Sequence, residues 1–290
     1  MEQIRTKSIL CITLLSVVCL FACTTGEELD QPAGRYPMTF TATVDGLTLT
    51  RSDGKDAWTA GDQIAISIDK GSSSKTYQIT DATTGAMEPA TAGDGHYWQR
   101  NTDEMKILAW YPVDETSNVS ISNQSEGFAK FDYLTVTATA SFSGSATSSA
   151  TELTFEHQMA KITCTLTAGN DITDLTNATV SIYGYTTLSF SKGTVTGSGN
   201  NGWITTTKTD RKALVVPQNM AGQKFIRVTI GGRDYFYTAS SGEANLVAGN
   251  EYNCSITVTE TGLEVTVDNS TNPVWSDSGS QDVDITEDNS

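Results

Sequence analysis

Met38-Thr39-Phe40-Thr41-Ala42-Thr43-Val44 puts an apolar side chain at every second position and a hydroxyl at each position between. Successive side chains of an extended chain point to opposite faces, so this stretch reads as a strand with one buried face and one wetted face. Threonine suits the wetted face because its branched Cβ fits a pleated surface. The same period recurs in Ile64-Ile66-Ile68 against Gln63-Ala65-Ser67, in Ile226-Val228-Ile230 against Arg227-Thr229, and in Leu263-Val265-Val267 against Glu264-Thr266. Turn pairs stand between such runs: Asp45-Gly46, Asp53-Gly54, Gly231-Gly232, Gly249-Asn250 and Thr261-Gly262. They supply the backbone freedom that tight hairpins demand. No useful length of chain shows a 3.6-residue period. The fold class is therefore all-β, and short strands spaced by turns predict sandwiches or open barrels.

From Ala138 to Ala150 the chain is Ser, Thr, Ala and Gly with one large residue, Phe142. A stretch of that composition reads as a linker or long loop. It predicts two β-sandwich domains, 36–150 and 151–290.

Upstream, Arg5 and Lys7 precede an apolar run from Ser8 to Ala22. That run is too short for a stable membrane span and has the layout of a secretory signal over residues 1–22. It ends in Leu20-Phe21-Ala22-Cys23, which resembles the bacterial lipobox; an unlipidated cut near Ala22 is the other reading. Residues 23–35, nearly free of large apolar side chains, then form a lipidated tether. The acidic Glu27, Glu28 and Asp30 resemble signals that send some lipoproteins to the outer surface.

The full sequence carries 34 acidic and 18 basic residues, a formal charge of −16. Such a surface repels phosphates, which makes nucleic acid a poor partner. Of five cysteines, Cys11 and Cys19 leave with the signal and Cys23 takes lipid. Cys164 and Cys254 sit on the apolar faces of alternating strands, as two core thiols or as an inter-strand disulfide. A metal site is not expected, because there is no C-x-x-C and only His96 and His157 could add ligands.

Catalytic patterns are equally thin. Gly197-Ser198-Gly199-Asn200-Asn201-Gly202 matches a dinucleotide fingerprint, but Trp203-Ile204-Thr205 follows where a helix must begin, so the run reads as a hairpin loop. His157 precedes a strand and has no evident nucleophile. Asp277, Asp282, Asp284 and Asp288 are spaced too irregularly for a calcium loop. Tyr97-Trp98 and Trp110-Tyr111 could offer a sugar platform, but neighbours on a strand face opposite ways, which favours core packing. No enzyme and no cofactor is predicted.

Three patterns then stand in order: Asp56-Ala57-Trp58-Thr59-Ala60-Gly61-Asp62-Gln63-Ile64, Phe155-Glu156-His157-Gln158-Met159-Ala160-Lys161-Ile162, and Leu246-Val247-Ala248-Gly249-Asn250-Glu251-Tyr252. With the lipobox, their order and spacing resemble the fimbrillin-like pilus subunits of Gram-negative gut and oral anaerobes. The resemblance implies an exported outer-membrane lipoprotein of two transthyretin-like β-sandwiches. It implies that a surface protease cuts after an arginine behind the first strand, and that a C-terminal strand of another subunit fills the groove left behind. That is β-augmentation. Carried onto this chain, the displaced strand holds Met38, Phe40, Ala42 and Val44, and the cut follows Arg51. Arg35 is a second arginine, but a cut there leaves the strand in place. Donor candidates are Trp275, beside Val274, and Val283 with Ile285; these apolar residues could instead belong to a folded C-terminal edge. The partners implied are other pilin subunits, the outer membrane through the lipid, and a host or bacterial surface ligand. Two rival readings remain, a non-polymerising surface lipoprotein and a tip adhesin that binds glycan or host protein.

Overall fold

The period-two runs become strands in the computed structural model, which describes residues 36–45, 57–69, 73–98, 104–142, 150–172, 174–241, 243–269 and 282–283. The signal and tether with Cys23, and also Arg35, Arg51, Val274, Trp275 and Ile285, lie outside the described residues.

In chain order the strands are β1 (Phe40–Val44), β2 (Gln63–Ile68), β3 (Lys75–Asp81), β4 (Ala86–Pro89), β5 (Glu104–Tyr111), β6 (Thr116–Ser120), β7 (Leu134–Ser141), β8 (Thr151–His157) and β9 (Ala160–Ala168). They continue as β10 (Thr179–Ser191), β11 (Thr194–Thr205), β12 (Lys212–Val215), β13 (Lys224–Ile230), β14 (Arg233–Thr238), β15 (Glu251–Val258), β16 (Leu263–Asn269) and β17 (Asp282–Val283). Among the described residues the only helical element is a 3-10 turn at Ala129–Phe131, and no helix is long and apolar enough to cross a membrane. The protein is all-β.

The first body is a ring, β1-β4-β3-β2-β5-β7-β8, in which every strand has two bonded neighbours. Its interior takes the apolar side of each alternation: Phe40, Ile64, Ile66, Ile79, Ile107, Leu153 and Phe155 are buried. The second body faces two sheets across a core, β11-β10-β13-β14 against β12-β9-β15-β16-β17. Ile162, Val180, Ile182, Ile204, Phe225, Val228 and Ile256 fill it.

Two placements differ from the expected division at 150/151. β8 follows the Ser/Ala-rich stretch, yet it completes the first ring by lying parallel to β1. β6 precedes that stretch, yet it joins the second body, pairing with the far half of β10 through Ser120↔Thr187 and Val119↔Leu188. The reason is the length of β10. Its first residues bond β13 and its last residues run past that sheet, leaving an edge that β6 covers. The core under this junction holds Leu188 and Phe190, with the Tyr133 ring tilted against that of Phe190 at 4.5 Å between ring centres.

The glycine run expected as a hairpin loop is also different: residues 197–202 lie inside β11, paired along β10. The physical reason is close approach. A Cβ at Gly197 would stand 2.4 Å from the Tyr185 ring, so glycine is what lets that ring lie flat on the strand. Cys164 and Cys254 prove to be direct register partners on the parallel pair β9 and β15, and both thiols are free and buried. Their mutual hydrogen bond, then burial, push the Cys164 thiol well above its ordinary range, which keeps it unreactive.

Candidate functional site

β1 is held as a single strand slotted between two others. On one side it runs antiparallel to β4, with Phe40 opposite Met87 and Thr41 opposite Ala86. On the other it runs parallel to β8 for five residues, from Phe40↔Thr151 to Val44↔Phe155. The ladder continues past the strand ends. Thr151 N–H donates to the Thr39 carbonyl at 2.8 Å, and Asp45 N–H donates to that of Phe155 at 2.8 Å. Ala42 N–H donates to the Gly85 carbonyl at 2.9 Å.

Met38, Phe40, Ala42 and Val44 all point into the ring and are at most 3% exposed. Thr43 stays on the outer face, where its hydroxyl donates to that of Thr154 at 3.2 Å. The slot's floor is aromatic. Phe40 meets Tyr77 edge-on at 5.2 Å, and Trp58 stands edge-on to Phe155 at 5.2 Å and to Tyr111 at 5.5 Å. Burial pushes the Tyr77 phenol up to about 12, so it remains neutral. Its oxygen accepts the His96 backbone N–H at 2.6 Å.

Gly85 is a site residue that sequence reasoning did not single out. It ends the β3–β4 turn at φ +68°, and a Cβ there would lie 2.0 Å from the Ala42 carbonyl oxygen. Only glycine lets that turn close over β1. The available signal was a lone glycine in Thr83-Thr84-Gly85, a turn with no other reason to need one.

His96 latches the other end. Its carbonyl accepts the Met38 N–H at 2.8 Å, and Pro37 forms a bridge with Tyr97 just beyond. Its Nε2 lies 2.8 Å from the Ile66 carbonyl, its ring stacks on Tyr77 at 6.0 Å, and the side chain is buried. Lys75 ties the loop down through Asp94 and the Gly95 carbonyl, each at 2.9 Å. Burial lowers the His96 pKa below 6.5, and Lys75 lowers it further, against the opposing pull of the Ile66 carbonyl and Asp94. The folded protein thus prefers neutral His96, and the unfolded chain binds the extra proton first. Stability therefore falls as pH drops below about 6.5. The urea midpoint is expected to be lower at pH 5.5 than at pH 7.5, and His96→Gln is expected to shrink that difference. An undiminished difference would assign it to other groups.

At the other terminus, Asp282–Val283 pairs antiparallel with β16, Val283 opposite Val265 and Asp282 opposite Thr266. This donor candidate is thus placed at the edge of the second body's sheet, beyond β16.

Histidine chemistry elsewhere is sealed. His157 Nδ1 lies 2.8 Å from Asp132 Oδ1, with both side chains almost wholly buried where β8 leaves the ring. A substrate has no access to that pair. Among the described residues no group of three His, Cys, Asp or Glu side chains is placed to hold a metal. Trp98 and Trp110 face cores, while Tyr97 and Tyr111 are half-buried.

A family model described as fimbrillin-like matches residues 50–273. The chain is 27% identical over 285 residues to a Bacteroides uniformis protein named "Putative fimbrium subunit Fim1C", with 89% of this chain and 93% of that one covered. Among solved structures, a "putative cell adhesion protein" from Bacteroides uniformis superposes with a TM-score of 0.62 at 21% identity, covering 83% of this chain and 99% of its own. A protein of the same description from Bacteroides ovatus gives 0.60 at 18% identity, covering 84% and 99%. These two establish a shared fold.

Proposed function

Because this chain belongs to the fimbrillin-like family, we propose that it is a structural subunit of a cell-surface fimbria, assembled by exchanging β1 for a strand of the next subunit. The observation that carries the exchange is the slot itself. One short strand closes the ring, contributes four buried side chains to its core, and is joined to β2 through residues 46–62, which include Arg51.

A closed ring exposes no edge to stray partners. Cutting after Arg51 frees β1 and creates two edges at once, β4 and β8. A donor strand that enters must run antiparallel to β4 and parallel to β8, as β1 does. It must also place apolar residues at alternate positions, which Val283 and Ile285 offer at i and i+2, with Trp275 upstream. Lipid on Cys23 holds the uncut precursor at the outer membrane until processing releases it. Tight anchoring by more than one acyl chain suits that role.

Arg51→Ala is expected to give a folded monomer at least as stable as the parent, and to abolish filaments seen by electron microscopy. N-terminal sequencing should find Ser52 in parental filaments. Normal filaments from the variant, or filament subunits that begin at Cys23, would remove the cleavage step.

A further inference from the structure

Outside the β1 slot, on the outer face of the ring, a cavity of about 610 Å³ opens where β2, β5 and β7 meet the β10–β11 turn. That size lies within the roughly 300–1,000 Å³ of small-molecule sites. Its floor is a row of register neighbours, Ser67, Leu108 and Thr137, with Trp110 further along β5. The Trp110 indole N–H is buried without a hydrogen-bond partner. Ser73 and Ser74 add hydroxyls at one side.

The charge of this cavity opposes that of the chain. Acidic residues outnumber basic ones 34 to 18 overall, yet among the described residues the cavity is lined by Lys106 and Lys192 against the single acid Asp69. Asp69 is engaged, since its carboxylate accepts the Lys106 backbone N–H at 3.3 Å. Neither lysine ammonium has an ion-pair or hydrogen-bond partner among the described residues.

Lys192 is also placed at a cost. It and Gly193 are the two central residues of the β10–β11 turn, at φ +47° and +77°. Such turns favour Asn before Gly, because a long side chain in the left-handed region is strained. The turn is pressed onto the ring so closely that a Cβ at Gly193 would stand 2.2 Å from the Thr135 hydroxyl. Strain of this kind collects where a side chain has work to do.

We propose that this cavity binds an acidic saccharide. Lys106 and Lys192, delivered by different bodies, take the carboxylate; the Ser73, Ser74 and Thr137 hydroxyls take ring hydroxyls; Leu108 and Trp110 supply the apolar wall. A bare inorganic anion would leave most of the volume and all of the hydroxyls unused.

The test is an NMR titration of the uncut monomer with glucuronic acid, with glucose and sulfate as comparison probes, so it does not depend on fimbrial assembly. Saturable glucuronate binding is expected, weakened by high salt at about 0.5 M, with no measurable glucose binding. Lys106→Gln and Lys192→Asn should each weaken it by about tenfold or more. Lys192→Asn also suits the turn, so its thermal midpoint should hold or rise while binding falls, which separates the site from the fold. Absent glucuronate binding, equal binding of glucose, or equal binding of sulfate would each overturn the assignment, as would full binding by Lys192→Asn.

Discussion

A chain cut behind β1 and stripped of that strand is expected to lose the cooperative folding of its ring, and to recover it when a synthetic peptide spanning residues 36–45 is added. The magnitude follows from what the strand buries. Met38, Phe40 and Val44 are each at most 3% exposed, and burying such a side chain is worth about 1.5–3 kcal/mol. Their sum, on the order of 6 kcal/mol, is comparable with the whole stability of a domain, roughly 5–15 kcal/mol. Lost ladder hydrogen bonds to Gly85, His96 and the β8 backbone add to it. Trp58 and Trp98 lie in this core and report on it by near-ultraviolet circular dichroism. The stripped protein should give a flattened signal and a broad thermal transition, and the peptide should restore both. A peptide carrying Phe40→Asp should not, because an unpaired carboxylate in the aromatic slot costs several kcal/mol. If the stripped protein melts as sharply and as high as the intact one, β1 is not the strand that closes the ring.

Much of this slot was legible in the sequence because its decisive property is periodic. The alternation in Met38–Val44 fixes which side chains enter the core, and burial follows it residue by residue. What periodicity cannot convey is partnership. Thr39-Thr41-Thr43 and Thr151-Leu153-Phe155 are both plain amphipathic strands; that they pair, in parallel and more than a hundred residues apart, depends on closing the whole ring. The same gap hid the crossing of β6 to β10 and the facing of Cys164 and Cys254. Gly197 misled for a related reason. A glycine needed for room beside an aromatic ring and a glycine needed for a loop look alike until Tyr185 is in place. Gly85 and Lys192 were overlooked because their signal is steric, an approach to Ala42 in one case and to the outer face of the ring in the other.

Deleting residues 274–290 is expected to leave a folded monomer and to abolish filament growth. Among the described residues, the second body's core comes from strands upstream of this segment. β16 bonds β15 through seven register pairs, from Val258↔Leu263 to Tyr252↔Asn269, whereas among the described residues β17 adds only Val265↔Val283 and Thr266↔Asp282. Leu263, Val265 and Val267 stay buried against β15 and the facing sheet. Losing a two-pair edge costs about 1–2 kcal/mol at a net of about 1 kcal/mol per hydrogen bond, which a domain of this size survives. The truncated subunit keeps its slot, so once cut it can still accept a donor, but it has none to offer and ends the filament. Mixed with the parent protein, it should shorten filaments in proportion to its share. Val283→Asp with Ile285→Asp should act the same way with the chain length preserved, since both carboxylates would have to enter the pockets that β1 vacates. Two outcomes would reject this assignment. An unfolded truncated monomer would make the segment a structural edge of its own sheet, and filaments of normal length would place the donor elsewhere in the chain.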